Sequence, residues 1–219
     1  MSPADLFAAE RARMVREDLA GRGVRDARVL SAMGRVPRER FVPAAHRDSA
    51  YADYPLAIGC GQTISQPYIV ALMTELLRLR GGERVLEVGT GSGYQAAVLA
   101  ELAAEVFTVE RHAELSAAAG RLLGELGYAN VHLRLGDGTL GWPEEAPFAA
   151  ILVTAAAPAV PASLKRQLAD GGRLVLPVGS GFGQQLLAVR REGGEFTETP
   201  GIPCIFVPLV GKEGYPGGP

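Results

Sequence analysis

Three carboxylates stand where apolar runs give way to glycine or to chain reversal: Glu87 in EVGTGSGYQAA, Glu110 closing EVFTVE, and Asp137 in GDG. Gly89, Gly91 and Gly93 follow the first of them, between a strand-like run and a helix-like one. Glycines at such a turn let the backbone approach a ligand, and the free N–H groups of a helix start attract its polar atoms. Residues 91–96 also satisfy the G-x-G-x-x-A form of a dinucleotide fingerprint. Glu110 follows about 20 residues later, where an acid accepts hydrogen bonds from ribose hydroxyls. Asp137 is placed to accept a bond from an adenine amino group. The plain alternatives are a solvated strand end for Glu110 and a turn residue for Asp137.

A second group is made of hydroxyls. In GCGQTISQPYIVAL, Thr63 and Ser65 stand just before a helical pattern. Two readings are open. Ser65 is a favoured N-cap residue, and a short hydroxyl can also hold a carboxylate by a directional bond without adding charge. Metal and disulfide chemistry find little support: Cys60 and Cys204 are far apart without C-x-x-C spacing, and His46, His112 and His132 are scattered.

The elements that must position these groups follow from periodicity. Residues 5–19 read as an amphipathic helix with Leu6, Met14, Val15 and Leu19 facing inward, and DARVLSAMGRV as a short helix stopping before Pro37. The passage to Gly59 reads as loop without strands. QPYIVALMTELLRLR is a helix with Pro67 in its first turn, ending at Gly81–Gly82. Strands RVLEVG, EVFTVE, VHLRLG, FAAILVT and RLVLPVG then alternate with helices, and the helix around PASLKRQLA extends to Gly171–Gly172. That alternation predicts a parallel, doubly wound α/β sheet covered on both faces. QQLLAVRR and CIFVPLV read as an antiparallel pair closing one edge. The expected division is a helical cap and substrate-site segment over 1–80, an α/β core over 81–210 and a flexible tail over 211–219.

Net charge is −2 with pI near 6, so bulk electrostatic capture of nucleic acid or anionic membrane is not expected. The longest apolar stretch, FAAILVTAAAPAV, is too short to span a bilayer, and MSPADLFAAERARMVREDL lacks the apolar centre of a signal peptide. A cytoplasmic, soluble, monomeric protein is expected.

The pattern E-x-G-x-G-x-G resembles the first motif of Rossmann-like S-adenosylmethionine-dependent methyltransferases. GCGQTISQPYIVALMTELL with RVLEVGTGSGYQAAVLA, then VFTVER, GDGTLGWPEEAPFAAILVTAAAP, GRLVLPVG and FVPLVG, together with the upstream VPRERFV and AYADYPLAIG, resemble the protein-L-isoaspartate (D-aspartate) O-methyltransferase family from about residue 11 to residue 210. Cys60 departs from the larger or histidine side chain often found there, and reads as a packing substitution. The resemblance implies a Rossmann-like fold, S-adenosyl-L-methionine as cofactor with S-adenosyl-L-homocysteine as product, and isoaspartyl-containing proteins and peptides as partners. It implies cofactor contacts from Gln62, Glu87, Gly89, Gly91, Gly93, Glu110, Arg111, Asp137 and Gly138. Ser65 is implied as the catalytic residue, and Thr63, Ile64, Ala155, Ala156 and Val207 as substrate contacts. The alternatives are a methyltransferase for another carboxylate or small molecule, and a non-catalytic relative that binds cofactor or peptide.

Overall fold

The computed structural model describes residues 3–181 and 183–216. The chain enters through α1 (Pro3–Arg13), which runs on into a π-helical turn (Met14–Leu19) and a 3-10 turn (Ala20–Arg22). Met14 and Leu19 are fully buried as expected, but Leu6 is 48% exposed. Leu6 and Phe7 are neighbours about 100° apart on the helix, and Phe7 packs on the core in place of Leu6. Next, α2 (Ala27–Arg35) is capped by the Asp26 carboxylate, which accepts the N–H groups of Arg28 and Val29.

After two 3-10 turns (Arg38–Arg40 and Ala44–Ser49), β1 (Leu56–Gly59) and β2 (Gln62–Ile64) form an antiparallel hairpin where the sequence suggests only loop. Strands of four and three residues are too short to show a period-2 pattern. The turn needs positive φ at Gly59, Cys60 and Gly61, and Cys60 adopts it at 50°. Cys60 is exposed, so its thiol is not a core-packing group.

Next comes α3 (Pro67–Leu77), shorter than the pattern suggests: Arg78 turns left-handed and Leu79 drops into the core. Then β3 (Arg84–Val88), α4 (Tyr94–Ala100), β4 (Glu105–Glu110), α5 (Ala113–Glu125), β5 (Val131–Leu135) and β6 (Phe148–Val153) alternate as expected. After α6 (Ala162–Gln167), β7 (Leu168–Val178) starts before the Gly171–Gly172 pair, so the glycines lie inside the strand. β8 (Gln184–Glu192) and β9 (Glu195–Cys204) close the sheet. Strand order is β5-β4-β3-β6-β7-β8-β9, parallel through β7 and antiparallel beyond.

The closing strand is therefore EFTETPGIPC and not CIFVPLV. EFTETPGIPC is exposed almost throughout, so no buried face marks it as strand, and its prolines suit an edge. CIFVPLV is apolar because it crosses back beside Ala156, with Pro208 bridging to it. One core cluster joins Met14, Met33 and Phe41 of the front segment to Val85, Val98 and Val106 of the α/β layer. A second, with Leu86, Val88, Phe107, Phe148 and Leu164, fills the opposite face. Gly211 to Pro216, expected as flexible tail, is tied down: Lys212 N–H donates to Asp137 (2.8 Å) and Tyr215 Oη to the Gly179 carbonyl (2.9 Å). Residues 217–219 lie outside the described residues. Among the described residues no helix is long and apolar enough to cross a membrane.

Candidate active site

Parallel strands deliver their carboxyl ends to one rim, and there the chain encloses a cleft of about 770 Å3, counting its open mouth. The glycine turn after β3 forms its floor. Gly89 has φ 97°, and a Cβ there would stand 2.3 Å from Thr154 Oγ1, so only glycine fits. A Cβ on Gly138 would stand 2.5 Å from Val88 Cγ1, which keeps a second edge of the cleft bare backbone.

Glu110, at the end of β4, is 5% exposed and holds the turn in shape. Its Oε2 accepts Gly91 N–H (2.8 Å), while Oε1 accepts the N–H groups of Arg111 (2.8 Å) and His112 (2.9 Å). A carboxylate has about four lone-pair sites, so one on Oε2 is free for a ligand hydroxyl.

Glu87 lies beneath the turn, fully buried. Thr108 Oγ1 donates to its Oε2 (2.5 Å), so Thr90, 2.6 Å from Thr108 Oγ1, must donate in turn. Oε1 has no partner among the described residues. Burial pushes this carboxyl up to about 8; the Thr108 bond opposes the rise and the Glu110 charge adds to it.

The opposite wall is the segment carrying the hydroxyls. Ser65 does not cap α3: the flanking residue is Gln66, and it makes no side-chain cap bond. Asp53 does that work from 15 residues away, its Oδ1 accepting Tyr68 N–H (3.1 Å) and its Oδ2 accepting Gln66 Nε2 (2.7 Å). The Ser65 hydroxyl is left without a hydrogen bond among the described residues, on the cleft wall.

Of the residues expected at the site, Gln62, Thr63, Ile64, Ser65, Gly89, Gly91, Glu110, Arg111, Gly138, Ala155 and Val207 line this one cleft. Four do not. Glu87 is sealed under the turn. Gly93 starts α4 against Ala119 and Leu123, where its missing Cβ serves packing. Ala156 is fully buried, its N–H donating to the Val207 carbonyl (2.8 Å) and its carbonyl accepting from Leu209 (2.7 Å). Asp137 turns away to its own 3-10 turn, accepting Thr139 N–H (2.9 Å) and Oγ1 (2.7 Å) besides Lys212. Burial opposes ionisation of Asp137, but these donors prevail and hold its carboxyl below the usual range. Sequence reading also missed Thr90, Tyr94, His112 and Thr154, which line the cleft. Thr154 had a signal, since it lies within VTAAAP; the others look locally like core or strand-end residues.

A sequence model of one family, described as Protein-L-isoaspartate(D-aspartate) O-methyltransferase, matches residues 9–214. The chain belongs to this family. A Methylorubrum populi protein-L-isoaspartate O-methyltransferase is 61% identical over 210 residues, covering 95% of this chain and 99% of that one. A Marinobacter nauticus relative of the same description is 60% identical over 205 residues, covering 93% and 94%. A solved protein-L-isoaspartate O-methyltransferase superposes with TM-score 0.85 at 30% identity, covering 93% of this chain and 67% of that one. A Plasmodium falciparum protein assigned as a beta-aspartate methyltransferase, crystallised with S-adenosyl-L-homocysteine, gives TM-score 0.80 at 26% identity, covering 91% and 98%.

Proposed function

We infer that this chain transfers a methyl group from S-adenosyl-L-methionine to the free α-carboxylate of L-isoaspartyl residues in damaged proteins. It is an S-adenosylmethionine-dependent protein-L-isoaspartate O-methyltransferase. The ester then closes to a succinimide without the enzyme, and hydrolysis returns some normal aspartyl linkage. One observation carries the reading: a single cleft joins a bare-backbone glycine floor to free hydroxyls on the facing wall, Ser65 foremost.

The residues present fit the cofactor. Gly89 and Gly138 keep a cradle that a Cβ would fill, and Glu110 offers one lone pair beside the turn. Gln62, Gly89, Gly91, Glu110, Arg111 and Gly138 would hold it, with Glu87 and Gly93 shaping the floor from below. When bound, S-adenosylmethionine supplies an electrophilic methyl on a positively charged sulfur.

The acceptor needs no base, because a carboxylate is ionised near neutral pH with an ordinary pKa of about 3.3–4.3. The chain's task is orientation and partial removal of water, and positioning alone can contribute about 7–11 kcal/mol. Ser65 donates its hydroxyl to one carboxylate oxygen, leaving the other to react. Thr63 stands beside it, and Ile64, Ala155 and Val207 give the peptide an apolar seat. We assign residues 1–80 as a helical cap and substrate-site segment and 81–210 as the cofactor-binding core of one unit acting as a monomer, with Gln62 reaching the cofactor from the first and Ala155 and Val207 reaching the peptide from the second. Two free cysteines, Cys60 exposed, support a reducing cytoplasm.

The test is labelled methyl transfer to paired peptides differing only in an aspartyl or isoaspartyl linkage. Label on the isoaspartyl peptide alone is expected; label on neither, with S-adenosylhomocysteine still bound, removes this substrate. Ser65→Ala is expected to lower kcat/KM by about 10- to 150-fold, the worth of one hydrogen bond to a charged group, with cofactor affinity kept. Near-normal turnover in the folded variant removes Ser65 from its role.

A further inference from the structure

Among the described residues Arg38 is the largest side chain fully removed from water, at 0% exposure. Arginine keeps its proton at every ordinary pH, so a permanent cation is buried here. Its Nε donates to the Ala50 carbonyl (2.7 Å) and its Nη2 to the Ser65 carbonyl (2.8 Å). Nη1 has no partner, and Arg38 makes no ion pair among the described residues. Burial draws its pKa down, against the modest support of Tyr94, Tyr51 and Asp53. A buried charge without a counter-ion is costly, and two neutral carbonyls offset only part of that cost.

What surrounds the cation gives it a use. Ser65 and Tyr94 are both walls of the cleft, and the guanidinium lies 4.8 Å from the Tyr94 ring centroid. The other charged groups at the cleft are differently placed. Glu110 is satisfied by three N–H groups, and Arg111 is exposed at the rim, where water and salt screen it. Arg38 acts through a low-dielectric interior, where a charge is felt more strongly. A substrate carboxylate docking on Ser65 brings a second anion towards Arg38, beside the distant support of Asp53.

We propose that Arg38 is a positioning and charge-selecting residue of the acceptor half. It fixes the Ser65 backbone through the carbonyl bond, and its charge, which no direct ion pair neutralises, makes the cleft prefer an anionic acceptor to a neutral isostere. This rests on the isoaspartyl reading above.

The experiment uses two peptides identical except for a free α-carboxylate or an α-carboxamide on the isoaspartyl residue. Their affinities are measured by calorimetry for enzyme saturated with S-adenosylhomocysteine. Wild type is expected to favour the acid by about tenfold or more, and Arg38→Met to retain less than about threefold of that preference. S-adenosylhomocysteine affinity of Arg38→Met should stay within about twofold of wild type, which a general collapse of the site would not allow. Arg38→Lys keeps the charge but loses the two-pronged donor, so it should keep the preference while kcat falls. Wild-type preference surviving in Arg38→Met, or lost in Arg38→Lys, overturns the proposal. If Arg38→Met does not fold, Arg38→Gln, which keeps an amide donor without the charge, takes its place: preference lost in it and kept in Arg38→Lys supports the role of charge, and preference kept in it overturns the proposal. A wild type that binds neither peptide takes down the isoaspartyl reading itself, whereas preference indifferent to Arg38 takes down this proposal only.

Discussion

Replacing Glu87 by Gln should stabilise the ligand-free protein, increasingly so as pH rises. Glu87 is fully buried, with one carboxylate oxygen bonded to Thr108 and the other unpartnered. Its carboxyl is raised from 4.5 to about 8, chiefly by burial. The sign follows from proton counting: between those values the folded chain holds a proton that the unfolded chain has released. Stability therefore falls as pH rises through the window, fully present below 4.5 and lost up to about 8, by about 1.4 kcal/mol per unit at most. From pH 5 to pH 8 the loss is about 3–4 kcal/mol. Glutamine keeps the Thr108 acceptor and cannot ionise. Urea unfolding of both proteins from pH 5 to pH 9 reads the difference directly. The two should agree near pH 5 and diverge towards pH 8, with Gln the more stable. A gap that stays constant within about 1 kcal/mol across that range would refute the reasoning, since no pKa difference would then exist between folded and unfolded states.

Two further outcomes are expected. Gly89→Ala combines a left-handed φ with a Cβ 2.3 Å from Thr154 Oγ1; it should cost roughly 2–4 kcal/mol, and Thr154→Ala in the same chain should restore only the steric part, read as melting temperature and S-adenosylhomocysteine affinity. Asp137→Asn sets an amide against the donors of Thr139 and Lys212; it should cost about 1–3 kcal/mol near neutral pH, a deficit that closes in acid as the wild-type carboxyl protonates, with S-adenosylhomocysteine affinity changed less than about threefold.

Much of the α/β layer was legible because its signals are local. Strands such as RVLEV and FAAILV are buried on both faces and read as short apolar runs, and the glycine turn announces itself by composition. What escaped depends on partners distant in the chain. Nothing near Ser65 tells a cap from a site residue; the answer is Asp53, which satisfies the start of α3 in its place. Nothing in VPRERFV marks Arg38 as buried, because arginine is seldom fully buried and its acceptors are carbonyls 12 and 27 residues away. The last strand was misplaced because hydrophobic patterning finds buried surface, and β9 is paired but exposed.

The three carboxylates show why a motif's chemistry has to be counted in lone pairs. As sequence, Glu87, Glu110 and Asp137 look equivalent: each stands near a strand end and beside glycine. In the fold Glu87 is sealed in and neutral near pH 7, and Asp137 gives its oxygens to Thr139 and to the segment after β9. Glu110 alone of the three lines the cleft, and three N–H groups already claim it. Its one remaining lone pair is enough for a single ligand hydroxyl, and the bonds that consume the others hold the glycine turn open to receive it. If the cofactor sits as proposed above, the same carboxylate would both build the floor and contact what rests on it, so Glu110→Ala should weaken S-adenosylhomocysteine binding through both routes at once.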